Sequence, residues 1–196
     1  MKIIAGCARN AELISPPDLG VRPTAVRSRK ALFDSIGIQM THAAVLDLFS
    51  GSGALGLEAA SRGAAEILMV ELNPKHIPVI EENIRIVQKT GAAASITLIN
   101  SDALDLTRYS KRISHVDFIF ADPPYADSGK LFQKLLSQPR FAEDFAGAKI
   151  FWEIPDTPGA AGDFINCPAL KNWQLRDFAG TRFLVGTVAD LSEKTE

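Results

Sequence analysis

From residue 44 onward, short apolar runs alternate with stretches in which apolar residues recur every three or four positions. The short runs are typical of buried strands, and the longer periodic stretches are typical of amphipathic helices. The runs that predict strands are 44–49, 67–70, 96–99, 116–121 and 149–154, and the stretches that predict helices are 54–60, 77–87 and 131–136. Strands that alternate with helices predict a parallel sheet covered on both faces, so an α/β fold is expected.

The last part of the chain has a different pattern. Residues 173–178 and 182–188 flank Ala179-Gly180-Thr181, and two such runs around a glycine turn predict a hairpin. The parallel sheet is therefore expected to end in an antiparallel strand. Residues 155–162 are rich in proline, glycine and alanine and predict a loop rather than a linker between domains.

Capping residues predict where two helices begin. Thr24 is expected to cap a helix that Gly37 ends. Asn73 can cap the helix after the second strand, with Pro74 at its first position, although the regular helix can also begin only at Pro78.

Residues 1–40 differ from the rest and predict an N-terminal extension to a main domain formed by residues 41–196. Lys2–Ala5 predicts a strand, and 16–20 is rich in turn-forming residues. The extension carries six basic and three acidic groups, a net charge of +3, whereas the remainder carries 15 basic and 20 acidic groups, a net charge of −5. This distribution suits a phosphate-binding face, although charge alone favours a solvated helix surface.

Composition limits the classes of protein. The two cysteines, Cys7 and Cys167, lie far apart without metal-type spacing, so a disulfide framework is not expected. The three histidines are scattered and are expected to be surface or packing residues, so no metal site is predicted. No apolar run is long enough to span a membrane, and we expect a cytoplasmic protein.

A glycine-rich loop lies between the first predicted strand and the next helix. Gly51-Ser52-Gly53-Ala54-Leu55-Gly56 fits the pattern G-x-G-x-x-G, in which glycines let a ligand approach the backbone at a helix N-terminus. Glu71 follows Gly51 by 20 residues, at the end of the next strand, where a carboxylate can accept hydrogen bonds from a ribose diol. These features alone suit NAD, FAD or S-adenosylmethionine, or a structural turn with a surface glutamate.

Two aspartates bear on this choice. Asp47 lies in an apolar strand four residues before Gly51, and a buried carboxylate needs partners, either the loop amides or a ligand. S-adenosylmethionine has an ammonium group at the corresponding end, whereas the pyrophosphate of NAD would be repelled. Asp102 follows the third strand and can accept a hydrogen bond from an adenine amine or cap the next helix.

Asp122-Pro123-Pro124-Tyr125 follows the fourth strand, at the sheet edge where open α/β sheets build their sites. Asp122 and a nearby carbonyl can accept hydrogen bonds from both hydrogens of an exocyclic amine, and Tyr125 can stack on the base that carries it. The two prolines hold this segment stiff. The alternative is a plain turn with an exposed tyrosine.

Together these segments resemble the bacterial RsmD-type 16S ribosomal RNA guanine-N2 methyltransferases over nearly the whole chain. The matching segments are Lys2-Ile3-Ile4-Ala5-Gly6, Gly20-Val21-Arg22-Pro23-Thr24, Arg27-Ser28-Arg29-Lys30-Ala31-Leu32-Phe33, the stretch from Leu46 to Glu58, and Asp122-Pro123-Pro124-Tyr125. Many base-amine methylases share the glycine and Asp-Pro-Pro-Tyr motifs, and the Arg-Pro-Thr element narrows the match. Arg9-Asn10-Ala11 stands where the family usually has Arg-Gly-Arg.

The resemblance implies a Rossmann-like class I methyltransferase fold that uses S-adenosylmethionine, releases S-adenosylhomocysteine and acts on ribosomal RNA, free or in a small-subunit particle. A monomer is expected. The implied cofactor-binding residues are Asp47, Phe49, Ser50, Gly51, Gly53, Glu71, Leu72, Asp102 and Ala103. The implied catalytic residues are Asp122, Pro123, Pro124 and Tyr125, and the implied RNA-binding residues are Arg9, Arg22, Thr24 and Arg27. The alternatives are a DNA adenine-N6 or protein glutamine-N5 methyltransferase and, more distantly, an NAD-dependent oxidoreductase.

Overall fold

The structure, a computed structural model, describes residues 1–18, 23–156, 162, 164 and 167–190, without the side chains of residues 23–25. The described strands are β1 (Ala44–Leu48), β2 (Glu66–Glu71), β3 (Ser95–Asn100), β4 (Phe118–Ala121), β5 (Lys149–Ile154), β6 (Leu170–Phe178) and β7 (Thr181–Val188). The described α-helices are α1 (Pro23–Ile36), α2 (Ala54–Ser61), α3 (Ile77–Gln88), α4 (Ser128–Leu136) and α5 (Pro139–Phe145).

The strands form one sheet in the order β3-β2-β1-β4-β5-β7-β6. Neighbours from β3 to β5 are parallel, while β7 runs antiparallel to both β5 and β6. The predicted mixed sheet with a terminal hairpin is therefore confirmed. The second strand of that hairpin, β7, lies between β5 and β6.

Helices cover both faces of the sheet, as the alternation of strands and helices predicts. One apolar cluster joins Trp152 of β5 to Phe132 of α4 and Phe141 of α5. The other contains Phe151, the residue next to Trp152, together with Phe33 of α1. Successive residues of a strand point to opposite faces, so β5 supplies both clusters. As a result, α1 lies on the face opposite α4 and α5.

Two predicted helix starts are wrong. Helix α1 begins at Pro23, so Thr24 lies in its first turn and does not precede it. Helix α3 begins at Ile77, and the side chain of Asn73 instead accepts a hydrogen bond from the Lys75 amide in the preceding turn. Pro78 explains the later start of α3, because a proline is tolerated only in the first turn of a helix. The predicted end of α1 at Gly37 is confirmed.

Lys2–Ala5 forms a single antiparallel bridge, Lys2 with Glu12, rather than the predicted strand. Its backbone is held instead by α2, where the carboxylate of Glu58 accepts hydrogen bonds from the amides of Ile4 at 2.8 Å and Ala5 at 3.1 Å. Glu58 is fully buried, so these amides also satisfy a charge that would be costly alone. The start of the chain is thereby attached to the helix that follows the glycine loop.

Helix α5 is absent from the pattern-based prediction. It has only seven residues, and its Phe141 and Phe145 are buried against the α4 side of the sheet. Two apolar positions in so short a segment do not establish a helical period. Among the described helices, none is both long and apolar enough to cross a lipid bilayer.

Candidate active site

A cavity of about 430 Å³ opens at the carboxyl edge of the sheet. The loop after β1 lines it with Phe49, Ser50 and Gly51, and the segment after β4 lines it with Asp122 and Tyr125. The structure therefore brings the glycine loop and the Asp-Pro-Pro-Tyr segment together, as the sequence predicts. Helix α1 and the β6–β7 turn complete the wall with Val26, Ser28, Arg29, Leu32, Gly180 and Thr181.

The glycine loop turns sharply between β1 and α2. Gly53 precedes α2 with φ +78°, a left-handed conformation that glycine adopts without a steric cost. Its amide donates to the Ser50 carbonyl at 2.7 Å, and the Ser50 hydroxyl donates to the carbonyls of Asp47 and Val70. The loop is thus held by its own backbone and by β2, so its position does not depend on a ligand.

Asp47 lies beneath this loop and is 1% exposed. Its Oδ2 accepts a hydrogen bond from the Gly56 amide at 2.9 Å, whereas its Oδ1 is buried with no hydrogen-bond partner among the described residues. Burial, the largest cause, and the negative charge of Glu71 together raise the pKa of Asp47 to about 7, while the Gly56 hydrogen bond acts in the opposite direction. The predicted loop-organising role is therefore seen directly.

Glu71 ends β2 and uses both carboxylate oxygens. Oε2 accepts from the Gly51 amide at 2.7 Å and Oε1 accepts from the Asn73 amide at 2.8 Å. The buried His76 places Nδ1 3.2 Å from Glu71 and Nε2 3.0 Å from Asp18. The sequence analysis did not predict that His76 contacts Glu71 and Asp18. The sequence feature that could have indicated it is the position of His76 in the turn between β2 and α3.

The predicted cofactor-binding residues Leu72, Asp102 and Ala103, of which Asp102 is expected near the adenine, lie at the ends of β2 and β3 and do not line the cavity. Asp102 is exposed and its Oδ1 accepts from the Leu104 amide at 2.9 Å, so it caps the turn that follows. Leu72 is 63% exposed, and Ala103 is buried with its carbonyl bound by the Tyr109 hydroxyl. The structure therefore shows the capping role for Asp102. The other oxygen of the same carboxylate can still contact a ligand.

The Asp122–Tyr125 segment leaves β4 at the cavity. Pro123 is buried, Pro124 is exposed, and Tyr125 begins a short 3₁₀ turn. The Tyr125 hydroxyl donates to Glu153 Oε1 at 2.5 Å, and Glu153, on β5, also lines the cavity. Sequence reasoning missed Glu153, because only the pairing of β4 with β5 brings it beside the motif.

A family model described as Conserved hypothetical protein 95 matches residues 1–156. The chain belongs to this family. Its resemblance to the RsmD-type proteins is thereby confirmed.

The chain is 32% identical to the Ribosomal RNA small subunit methyltransferase D of Haemophilus influenzae over 125 residues, which cover 64% of each protein. It is 29% identical to the Putative rRNA methyltransferase YlbH of Bacillus subtilis over 84% of this chain and 90% of that protein. Its fold superimposes on a putative methyltransferase of Escherichia coli with a TM-score of 0.68 at 23% identity, covering 97% and 98% of the two chains. The predicted Rossmann-like methyltransferase fold is confirmed. The alignment spans just under two thirds of the Haemophilus protein.

The arginines that the structure describes within residues 1–40 divide into two groups. Arg29 is buried, donates to the Lys2 carbonyl and lies 3.8 Å from Glu58, so it holds the fold together. Arg9 and Arg27 are exposed. Arg22 and the side chain of Thr24 lie outside the described residues.

Asn10 stands at the middle position of the family's Arg-Gly-Arg element and has φ +69°. Asparagine is one of the few residues besides glycine that adopt this conformation readily. The turn is therefore compatible with the substitution, and the departure from the RsmD pattern is confined to the lost glycine and the basic side chain that Ala11 replaces.

Proposed function

We propose that this chain transfers a methyl group from S-adenosylmethionine to the exocyclic N2 amine of a guanine in small-subunit 16S ribosomal RNA. The observation that carries the proposal is the shared cavity, in which the glycine loop after β1 meets Asp122 and Tyr125 after β4. The wall formed by the glycine loop suits a cofactor, and the wall formed by Asp122 and Tyr125 suits a base that carries an amine. The names of the Haemophilus and Bacillus relatives support ribosomal RNA as the substrate.

The buried acidic groups fit this cofactor. Asp47 Oδ1 has no hydrogen-bond partner among the described residues, and the ammonium of the methionine end is a group that would satisfy it. Each carboxylate oxygen has two lone pairs, so Glu71 can bind ribose hydroxyls while it accepts the Gly51 and Asn73 amides. Leu72, Asp102 and Ala103 would surround the adenine, while Phe49, Ser50 and Gly53 shape the loop. The cofactor supplies an electrophilic methyl group.

The reaction that we propose depends mainly on positioning. Asp122 and a carbonyl of the proline pair accept hydrogen bonds from the two amine hydrogens, so the nitrogen lone pair points away from them and toward the methyl group. Tyr125 stacks on the guanine after it has left its helix, at a cost of a few kcal/mol. Holding reactants as near-attack conformers can contribute roughly 7–11 kcal/mol. The carboxylate of Asp122 also stabilises the positive charge that develops on the nitrogen as its bond to the methyl carbon forms and the bond from that carbon to the sulfur breaks, which leaves the thioether of S-adenosylhomocysteine. Asp122 can accept the proton that the methylated amine then loses.

We assign the RNA contact to the extension, residues 1–40, and catalysis to the domain formed by residues 41–196. Helix α1 forms one wall of the cavity, so an RNA that enters it must pass the extension. Arg9, Arg22, Thr24 and Arg27 are the residues that we place at the RNA backbone. The substrate is naked RNA or a small-subunit particle, and the enzyme acts as a monomer.

Methyl transfer to RNA is the direct test. The chain is incubated with tritiated S-adenosylmethionine and either 16S ribosomal RNA or small subunits from bacteria that lack the RsmD-type enzyme, and the RNA is digested to nucleosides. We expect label in N2-methylguanosine. A DNA substrate is tested in parallel. Label in N6-methyladenine of that DNA, or in glutamine of a ribosomal protein, would support the alternative methyltransferases instead. Calorimetry should detect S-adenosylhomocysteine but not NAD, and tight NAD binding alone would favour the oxidoreductase.

The affinity for S-adenosylhomocysteine should fall about 10-fold between pH 8 and pH 6. Asp47 has a pKa of about 7, so lowering the pH protonates it and removes the charge that attracts the ligand ammonium. Calorimetry across this range measures the effect. The control is Asp47→Asn, which should bind more weakly at pH 8 and show little dependence on pH. A parent protein with the same affinity at both pH values would remove Asp47 from the ammonium site.

A further inference from the structure

Two residues with carboxylate side chains, Asp122 and Glu153, line the cavity from neighbouring strands. The register of β4 and β5 pairs Ala121 with Trp152, so the next residues, Asp122 and Glu153, are adjacent across two strands about 4.8 Å apart. Glu153 is in turn paired with Phe183 of β7, and all three side chains line the cavity. Sheet geometry therefore places a second acceptor group next to the one that the motif supplies.

Glu153 is held in a defined orientation. It is 9% exposed, and its Oε1 accepts the Tyr125 hydroxyl at 2.5 Å. Its backbone carbonyl accepts the hydroxyl of Ser128, which also receives the indole N–H of Trp152. An ionised carboxylate offers about four acceptor positions, so Glu153 can accept the Tyr125 hydroxyl and a base at the same time. A nearly buried carboxylate that faces a cavity is expected to have such a use, because its desolvation is costly.

Guanine and adenine present different edges to such a pair. Guanine has two neighbouring donors, the N1–H and the N2 amine, whereas the amine of adenine adjoins N1, which is an acceptor. Carboxylates only accept hydrogen bonds when ionised, so two of them side by side match guanine and oppose adenine. We propose that Glu153 accepts the guanine N1–H while Asp122 accepts the N2 amine, which makes Glu153 the residue that selects guanine. This inference rests on the proposed function.

The competing explanation is that Glu153 only anchors Tyr125. The two explanations differ for 2-aminopurine, which keeps the N2 amine but has an unprotonated N1. If Glu153 reads the N1–H, it must disfavour 2-aminopurine, whereas a glutamine can donate its amide N–H to N1 and accept that base. A residue that serves only as an anchor would affect both bases equally.

The experiment uses an RNA fragment that contains the methylated nucleotide, located by nuclease digestion and mass spectrometry of the labelled fragments, and synthesised with either guanosine or 2-aminopurine at that position. Single-turnover methyl transfer is measured for the parent and for Glu153→Gln. For each protein, the rate with 2-aminopurine is divided by the rate with guanosine, and this ratio is compared between the parent and Glu153→Gln. The comparison cancels the intrinsic difference in reactivity between the two amines. We expect Glu153→Gln to shift this ratio toward 2-aminopurine by roughly 10–100-fold, the size expected for one hydrogen bond to a charged group.

Two control variants isolate the N1 contact. Asp156→Asn removes a neighbouring negative charge, whose partner is Arg182, and should keep the parent's ratio. Tyr125→Phe removes the hydroxyl but leaves the Glu153 carboxylate, so it should slow both bases and also keep the ratio. S-adenosylhomocysteine affinity reports whether each variant is folded.

The inference is overturned if Glu153→Gln slows both bases equally, or if Tyr125→Phe shifts the ratio as much as Glu153→Gln does. If Glu153→Gln does not fold, Tyr125→Phe alone still tests the inference, because a shift of the ratio by roughly 10–100-fold on removing the hydroxyl would assign selectivity to the tyrosine. Failure of the proposed function is a different result: no N2-methylguanosine would form in the nucleoside analysis, whichever variant is used.

Discussion

Asp122→Ala is expected to reduce methyl transfer by about 10²–10³-fold or more, the loss typical of removing one group that stabilises developing charge. The side chain lines the cavity at the end of β4, so its removal should leave the core and most S-adenosylhomocysteine affinity intact. Asp122→Asn should be milder, because an amide oxygen still accepts a hydrogen bond but lacks the charge that strengthens it. Single-turnover rates with saturating S-adenosylmethionine measure the series.

The matched control for Asp122 is Asp127→Ala. Asp127 is an exposed aspartate in the 3₁₀ turn that follows the motif, and it does not line the cavity. The Asp127→Ala variant should transfer methyl groups at the parent rate. If Asp122→Ala did so as well, the Asp-Pro-Pro-Tyr segment would be only a turn, and the mechanism proposed above would be wrong.

Gly6→Ala should lower the free energy of unfolding by about 3 kcal/mol or more, a loss typical of substitutions that disrupt buried contacts. Gly6 has φ +84°, and a Cβ built on it would lie 1.7 Å from the carbonyl oxygen of Ser61. The segment would have to move away from α2. That movement breaks the bonds from the Cys7 amide to the Ser61 carbonyl and from the Ala8 amide to the Ser61 hydroxyl, and it deprives buried Glu58 of two of its partners, the amides of Ile4 and Ala5.

Gly91→Ala is the control variant that measures the cost of the left-handed backbone conformation without a steric clash. Gly91 has φ +92°, but a Cβ there meets no atom within 4 Å, so only the cost of a left-handed alanine remains, about 1–2 kcal/mol. Urea denaturation of both variants measures the difference. Equal destabilisation would mean that the chain start adapts to the added methyl group without leaving α2.

The features predicted from the sequence are those that local patterns encode. Strand β5 was predicted with its observed limits because Lys149–Ile154 is a bounded apolar run. The meeting of Gly51 with Asp122 was also predictable, since the carboxyl ends of parallel strands share one edge.

The features that the sequence did not predict depend on partners distant along the chain. Glu153 gains its importance from Tyr125, 28 residues away, and His76 from Asp18, 58 residues away. The predicted strand at Lys2–Ala5 failed for the same reason, because the acceptor for the amides of Ile4 and Ala5 is the side chain of Glu58 and not another strand. Residue types alone do not identify such pairs.

The position of β7 also determines when the cavity can be completed while the chain is being synthesised. Strands β1 to β5, the glycine loop and Asp122 all leave the ribosome before Thr181, and domains fold progressively from the N-terminus. Until β7 emerges, β5 is an unpaired edge, which invites association with other nascent chains. Gly180 and Thr181 then complete the cavity wall at the moment that β7 covers this edge. An incomplete chain therefore has the glycine loop but not the complete cavity wall. Under the proposed function, the site for the base and the protection of the β5 edge would be completed in the same step.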